Sequence, residues 1–160
     1  EGTQHDQPLI YEQVDPVLEG HWVYAEDMSV DDQGRPVLAF SRGGLKGGGT
    51  VHSLEYGGEW QIRDLEICAG HVRVECVGEW TTVAGISDGD GPGVVLYQWQ
   101  NGIPAVRRPL HSSSAPGHPV LVPDATESCF HIFWTHTLSD SEGQLMYGKV
   151  SIRPLVEEDA

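Results

Sequence analysis

His52 and Tyr56 stand four residues apart in the run Thr50-Val51-His52-Ser53-Leu54-Glu55-Tyr56. In a strand, residues at even spacing project from one face. An imidazole and a phenol on one face can act as a base and acid pair. Arg42, on the preceding apolar run, can pair with a carboxylate. The plain alternative is that Tyr56 packs as an ordinary aromatic and His52 is an ordinary strand residue.

A second group is Cys68, His71 and Cys76, residue types that bind zinc. Cys129 and His131 can complete such a set from a distant part of the chain, although the spacing matches no standard finger; buried thiols are the alternative. Three cysteines cannot all pair within the chain, so one disulfide plus a thiol, three thiols or a metal site remain open. Asp88-Gly89-Asp90-Gly91 offers carboxylates and carbonyls to calcium, yet lacks the further ligands of an EF-hand loop and also reads as a solvated turn. Arg107, Arg108, His111 and His118 form the clearest local basic cluster, either an anion-receiving patch or a solvated edge.

The elements that must carry these residues are strands. The 160 residues include 20 Gly and 10 Pro, a composition rich in turns. The stretch Glu26–Leu65 predicts four strands, at about 26–30, 36–42, 50–56 and 60–66. Asp31-Asp32-Gln33-Gly34 and Gly57-Gly58 supply turn chemistry between them. On the second strand Val37, Ala39 and Ser41 face one way and Leu38, Phe40 and Arg42 the other. Apolar residues in both sets predict cover on both faces. The layout recurs at about 71–76, 80–86, 93–99 and 103–108, with Asn101-Gly102 as the strongest hairpin signal. It recurs again at about 119–122, 129–136 and 144–152, where Arg153-Pro154 removes a fourth strand.

First strands thus begin near 26, 71 and 118, a period of about 45 residues, which favours propeller blades over a sandwich. The expected fold is all-β, with about three four-stranded antiparallel blades at 25–66, 71–110 and 118–152. Residues 1–24 read as a lone strand or linker and 154–160 as an acidic tail. Three blades cannot close a ring, because propellers typically need four to eight. The missing blades are expected from another chain or a homo-oligomer. The run Leu9-Ile10-Tyr11 can complete the third blade, which would bring Ile10 against Tyr147. A net charge of −15 argues against nucleic acid, and no run of 18 apolar residues exists to span a membrane. No signal peptide is visible, and the chain starts at Glu1, which leaves processing, trimming or a longer parent open.

The segments His21–Arg42, His52–Gly70 and His111–Val150 resemble successive parts of BNR-repeat propellers. The nearest group includes ulvan lyases and related polysaccharide-acting proteins. Asp31 to Pro36 carries the D-x-x-G-R-P element, His52 to Trp60 the His and aromatic strand ending in G-x-x-W, and Pro119 to Pro123 loosely the late P-V-x-P. The resemblance covers roughly residues 21–150 and looks like the C-terminal half of such a domain. This sequence departs from the pattern where Val74–Val83 reads VECVGEWTTV, with Glu79 and Trp80 in place of an acidic, tyrosine-containing segment. It departs again at His118, which stands for an arginine.

What the resemblance implies is a secreted, carbohydrate-related propeller that acts on an acidic, uronate-containing polysaccharide by β-elimination. In that reaction His52 would be the base, Tyr56 the acid and Arg42 the carboxylate partner. Arg107, Arg108, His111 and His118 would receive the anionic sugar. Exposed members of the set Trp22, Trp60, Trp80, Trp99 and Trp134 would suit a glycan groove, although most are expected to pack blades. Structural zinc or calcium is the only cofactor the residues suggest. The other expectation is a non-catalytic module that binds glycan or protein through its open faces.

Overall fold

The computed structural model describes residues 22–43, 49–56, 60–68, 72–86, 93–100, 106–112, 117–139 and 142–152, and among these the apolar runs form eleven strands. The first sheet is an antiparallel meander of β1 (Trp22–Val30), β2 (Pro36–Gly43), β3 (Gly49–Tyr56) and β4 (Trp60–Cys68). The second repeats that order with β5 (Arg73–Val77), β6 (Trp80–Ile86), β7 (Gly93–Gln100) and β8 (Val106–Ser112). The third holds β9 (Val120–Asp124), β10 (Cys129–Ser139) and β11 (Glu142–Ser151), with β10 central. The all-β expectation holds: every described regular element is a strand, and no helix among the described residues is long and apolar enough to cross a membrane.

The turn between β1 and β2 is built by its own residues. Gly34 takes φ +76°, and its N–H donates to the Asp31 carbonyl at 3.0 Å. Asp31 Oδ1 accepts from the N–H groups of Gln33 (2.9 Å) and Arg35 (2.8 Å), while Arg35 Nε donates to Oδ2 at 2.7 Å. Glycine adopts that left-handed geometry without steric cost, and aspartate satisfies the backbone donors a turn leaves over.

β1 starts at Trp22, earlier than its alternation predicts. A bulge between Ala25 and Asp27 inserts Glu26, whose Oε1 accepts from Ser41 Oγ at 2.6 Å. An inserted residue reverses the parity of side chains beyond it, so the period of two does not read through. β8 extends to Ser112, past the expected end near 108; its expected start near 103 lies outside the described residues. Pro109 fits there because β8 is an edge strand. The proposed pairing of Ile10 with Tyr147 also lies outside the described residues.

Two cores join the three sheets. One is built from Val37, Ala39, Leu65 and Ile67 of the first sheet against Val74, Val83, Val95, Tyr97 and Trp99 of the second. The other places Ala84, Val94 and Leu96 of the second sheet against Leu121, Phe130, Ile132 and Trp134 of the third. The middle sheet is therefore apolar on both faces, and β7 is buried from Gly93 to Trp99. Of the described tryptophans, Trp99 and Trp134 are buried in these cores, and the Arg63 guanidinium lies 5.0 Å from the Trp99 ring centre.

The first strands of successive sheets run side by side, β1 against β5 and β5 against β9, although they share no ladder. Side chains make the β1–β5 seam. Asp27 Oδ2 accepts from the Val74 N–H at 3.0 Å, and Ser29 Oγ donates to Glu75 Oε2 at 3.3 Å. Burial, with the Asp27 carboxylate adding to it, pushes the Glu75 carboxyl up; the Ser29 hydroxyl opposes them.

Candidate functional site

The backbone register places Arg42 and His52 on adjacent strands. His52 pairs across with Phe40 and Asp64, Arg42 pairs with Thr50, and Tyr56 ends β3 opposite Trp60. The side chains of Arg42, His52 and Tyr56 lie outside the described residues. The basic residues are divided between sheets. Arg107 and Arg108 are consecutive on β8, so they address opposite faces; Arg107 is exposed and Arg108 half-buried. His111 pairs with Val94 in the same strand, and its side chain is outside the described residues. His118 is exposed beside Gly117, whose N–H donates to the Thr135 carbonyl of the third sheet at 2.7 Å.

Of the first cysteine group, Cys76 is a free thiol on β5, packed against the core between the first two sheets. Burial pushes that thiol up, and Thr81 Oγ1, 3.7 Å from Sγ, only partly offsets it. The Cys68 side chain, His71 and the Asp88–Gly91 turn lie outside the described residues.

The convergence of chemistry-bearing groups is on the third sheet. β9 ends at Asp124, a turn covers 125–128, and β10 begins at Cys129. Asp124 Oδ1 accepts from the N–H groups of Thr126 (2.9 Å) and Glu127 (3.0 Å), and Ser128 completes the reversal with φ 48°. These bonds, the Glu127 N–H first, hold the Asp124 carboxyl below its usual range against a smaller burial effect; His131 adds to the lowering. The Ile152 N–H donates to the Ser128 carbonyl at 3.1 Å and ties the turn to the end of β11.

The alternation of β10 sends Phe130, Ile132 and Trp134 into the core and leaves Cys129, His131 and Phe133 on the opposite face. There His131 Nε2 lies 3.5 Å from Asp124 Oδ2 and 3.8 Å from Cys129 Sγ. His131 Nδ1 lies 2.9 Å from the Tyr147 hydroxyl of β11, and the two rings stack. Glu127 pairs with Lys149, raising the Lys149 ammonium above its usual range. One ligand atom from each of Asp124, Glu127, Cys129 and His131 falls within 4.8 Å of the others. The Cys129–His131 pair is visible in the sequence as two potential ligands on one strand face. The spacing of Asp124 and Glu127 does not link them to it, because that link depends on how tightly the turn closes.

A cleft of about 710 Å³ lies between the β5–β6 turn and the β9–β10 turn, lined by Glu79, Trp80, Thr126 and Glu127. The outer faces of the first and third sheets each carry an apolar row. On the first, Met28, Leu38 and Ile62 occupy one cross-strand row, with Leu54 at the intervening register position. On the third, Val120, Phe133 and Tyr147 form a row, with Val122 and Leu145 beside it; Leu145 is 73% exposed.

Compared with known proteins, the chain matches no family model and no curated protein.

Proposed function

We propose that the chain is a three-blade section of a β-propeller that works as a binding module, and that its first partner is a second copy of itself. The observation that carries this reading is that adjacent first strands lie side by side while the two outermost faces keep exposed apolar rows. β1, β5 and β9 lie side by side, as the innermost strands of neighbouring blades would, and among the described residues each core lies between successive sheets. The outer faces keep Met28 and Ile62 on one side and Val120, Val122, Leu145 and Tyr147 on the other largely exposed. Soluble monomers rarely leave two such faces uncovered. Two copies around a twofold axis would bring the first-sheet face of each onto the third-sheet face of the other. The result is a ring of about six blades, within the usual range.

Single charges on the two faces test this. Leu145→Glu and Met28→Glu alter exposed positions, so each variant is expected to fold. Each contact uses both faces, so either substitution should shift sedimentation from dimer toward monomer. Identical masses for the parent chain and both variants would overturn the reading.

The register of Arg42 and His52, together with the BNR-repeat resemblance, favours a second reading, β-elimination on a uronate-containing glycan. The Glu79 and Glu127 carboxylates disfavour an anionic sugar at the cleft, so this reading uses the first sheet instead. Incubation with acidic polysaccharides should then generate the ultraviolet absorbance of an unsaturated product, and His52→Ala should remove it. Absence of that absorbance, with glycan binding retained, would leave the non-catalytic module.

A further inference from the structure

We propose that Asp124, Glu127, Cys129 and His131 form a binding site for a zinc-class divalent ion on the outer face of the third sheet. All four ligands come from one chain, from one turn and its two strands, so the site needs no residue of a second copy, although it shares the outer face and Tyr147 with the ring contact.

The donor set selects the metal. A thiolate and an imidazole favour zinc and its neighbours over calcium or magnesium, which take oxygen ligands. Zinc bonds these donors at about 2.0–2.3 Å, so tetrahedral ligands stand about 3.3–3.8 Å apart. The two separations from His131 Nε2, 3.5 Å to Asp124 Oδ2 and 3.8 Å to Cys129 Sγ, fall in that range, and all four ligand atoms lie within 4.8 Å of one another, so small side-chain shifts close the set. The imidazole is oriented as a ligand should be. With Nδ1–H donating to the Tyr147 oxygen, Nε2 keeps its lone pair for the ion. Cys129 is only 2% exposed, and its thiol lies 3.8 Å from His131 Nε2. Asp124 keeps Oδ2 for the ion because Oδ1 is occupied by the turn. Glu127 is exposed at the mouth and closes the set by exchanging Lys149 for the ion.

Cobalt(II) titration of the reduced chain is the test, since cobalt occupies tetrahedral zinc sites and reports thiolate ligation by its absorbance. The expected result is saturation at one equivalent, with a thiolate-to-cobalt charge-transfer band that zinc abolishes. Cys129→Ser should lose that band, and Cys76→Ser should keep it. Tyr147→Phe should weaken binding about tenfold through the histidine it orients. Glu127→Gln should weaken binding and Lys149→Gln should strengthen it; both positions are exposed, so these two decide the matter if Cys129→Ser does not fold. No saturable cobalt binding would overturn the proposal. So would a band that survives in Cys129→Ser, or an affinity unchanged by Glu127→Gln.

Discussion

Two carboxylates show how local surroundings set the sign of a side chain's effect. Burial drives the Asp31 carboxyl up, but the Arg35 N–H, its guanidinium and the Gln33 N–H outweigh it and leave the group below the usual carboxylate range. A lowered folded value means that its stabilisation is present above the unfolded value and is lost as pH falls through the folded one. Asp31→Ala should therefore cost about 1–3 kcal/mol near neutrality, with the deficit shrinking under acid in urea melts. Glu75 has the opposite sign. Its raised folded value means that ionising it beside Asp27 costs stability, a cost absent in acid that appears as pH rises through that value. Glu75→Gln should be more stable than the parent chain at neutral pH, and the gap should close toward about pH 4. The Asp31 turn is plain in the sequence because its bonds are local. The Glu75 environment is not, because Ser29 and Asp27 are 46 and 48 positions away in the chain and meet it only when β1 lies beside β5.

Strands and turns were legible wherever the period of two was unbroken. Trp80–Ile86 and Gly93–Gln100 follow directly from their apolar runs, bounded by turn residues. The start of β1 was not legible, because the Glu26 bulge reverses parity. The candidate metal group was half legible. Cys129 and His131 share a face by spacing alone, whereas Asp124 and Glu127 arrive through the geometry of a turn with Ser128 in a left-handed conformation. Packing between elements leaves its mark at Gly85, where a Cβ would overlap the Ile67 Cγ2 of the neighbouring sheet. Ile67 is fully buried and has little room to yield. Gly85→Ala should cost about 1–3 kcal/mol in chemical denaturation. The double variant with Ile67→Val should recover part of that loss, a coupling that independent sites would not show.

For the whole molecule, the sequence period conveyed three similar units, and the structure places their first strands together with one core per junction. Periodicity reports which residues face away from water within a unit. It cannot report what covers the outermost units, and there the account rests on the exposed rows of the first and third sheets. A net charge of −15 opposes self-association, so a dimer would have to overcome it through apolar contact. The most direct measurement is multi-angle light scattering of the unmodified chain over a range of concentrations. The expected result is a stable species at twice the 17.5 kDa chain mass. A single species at the chain mass, fully strand-rich by circular dichroism at the highest concentration, would contradict it.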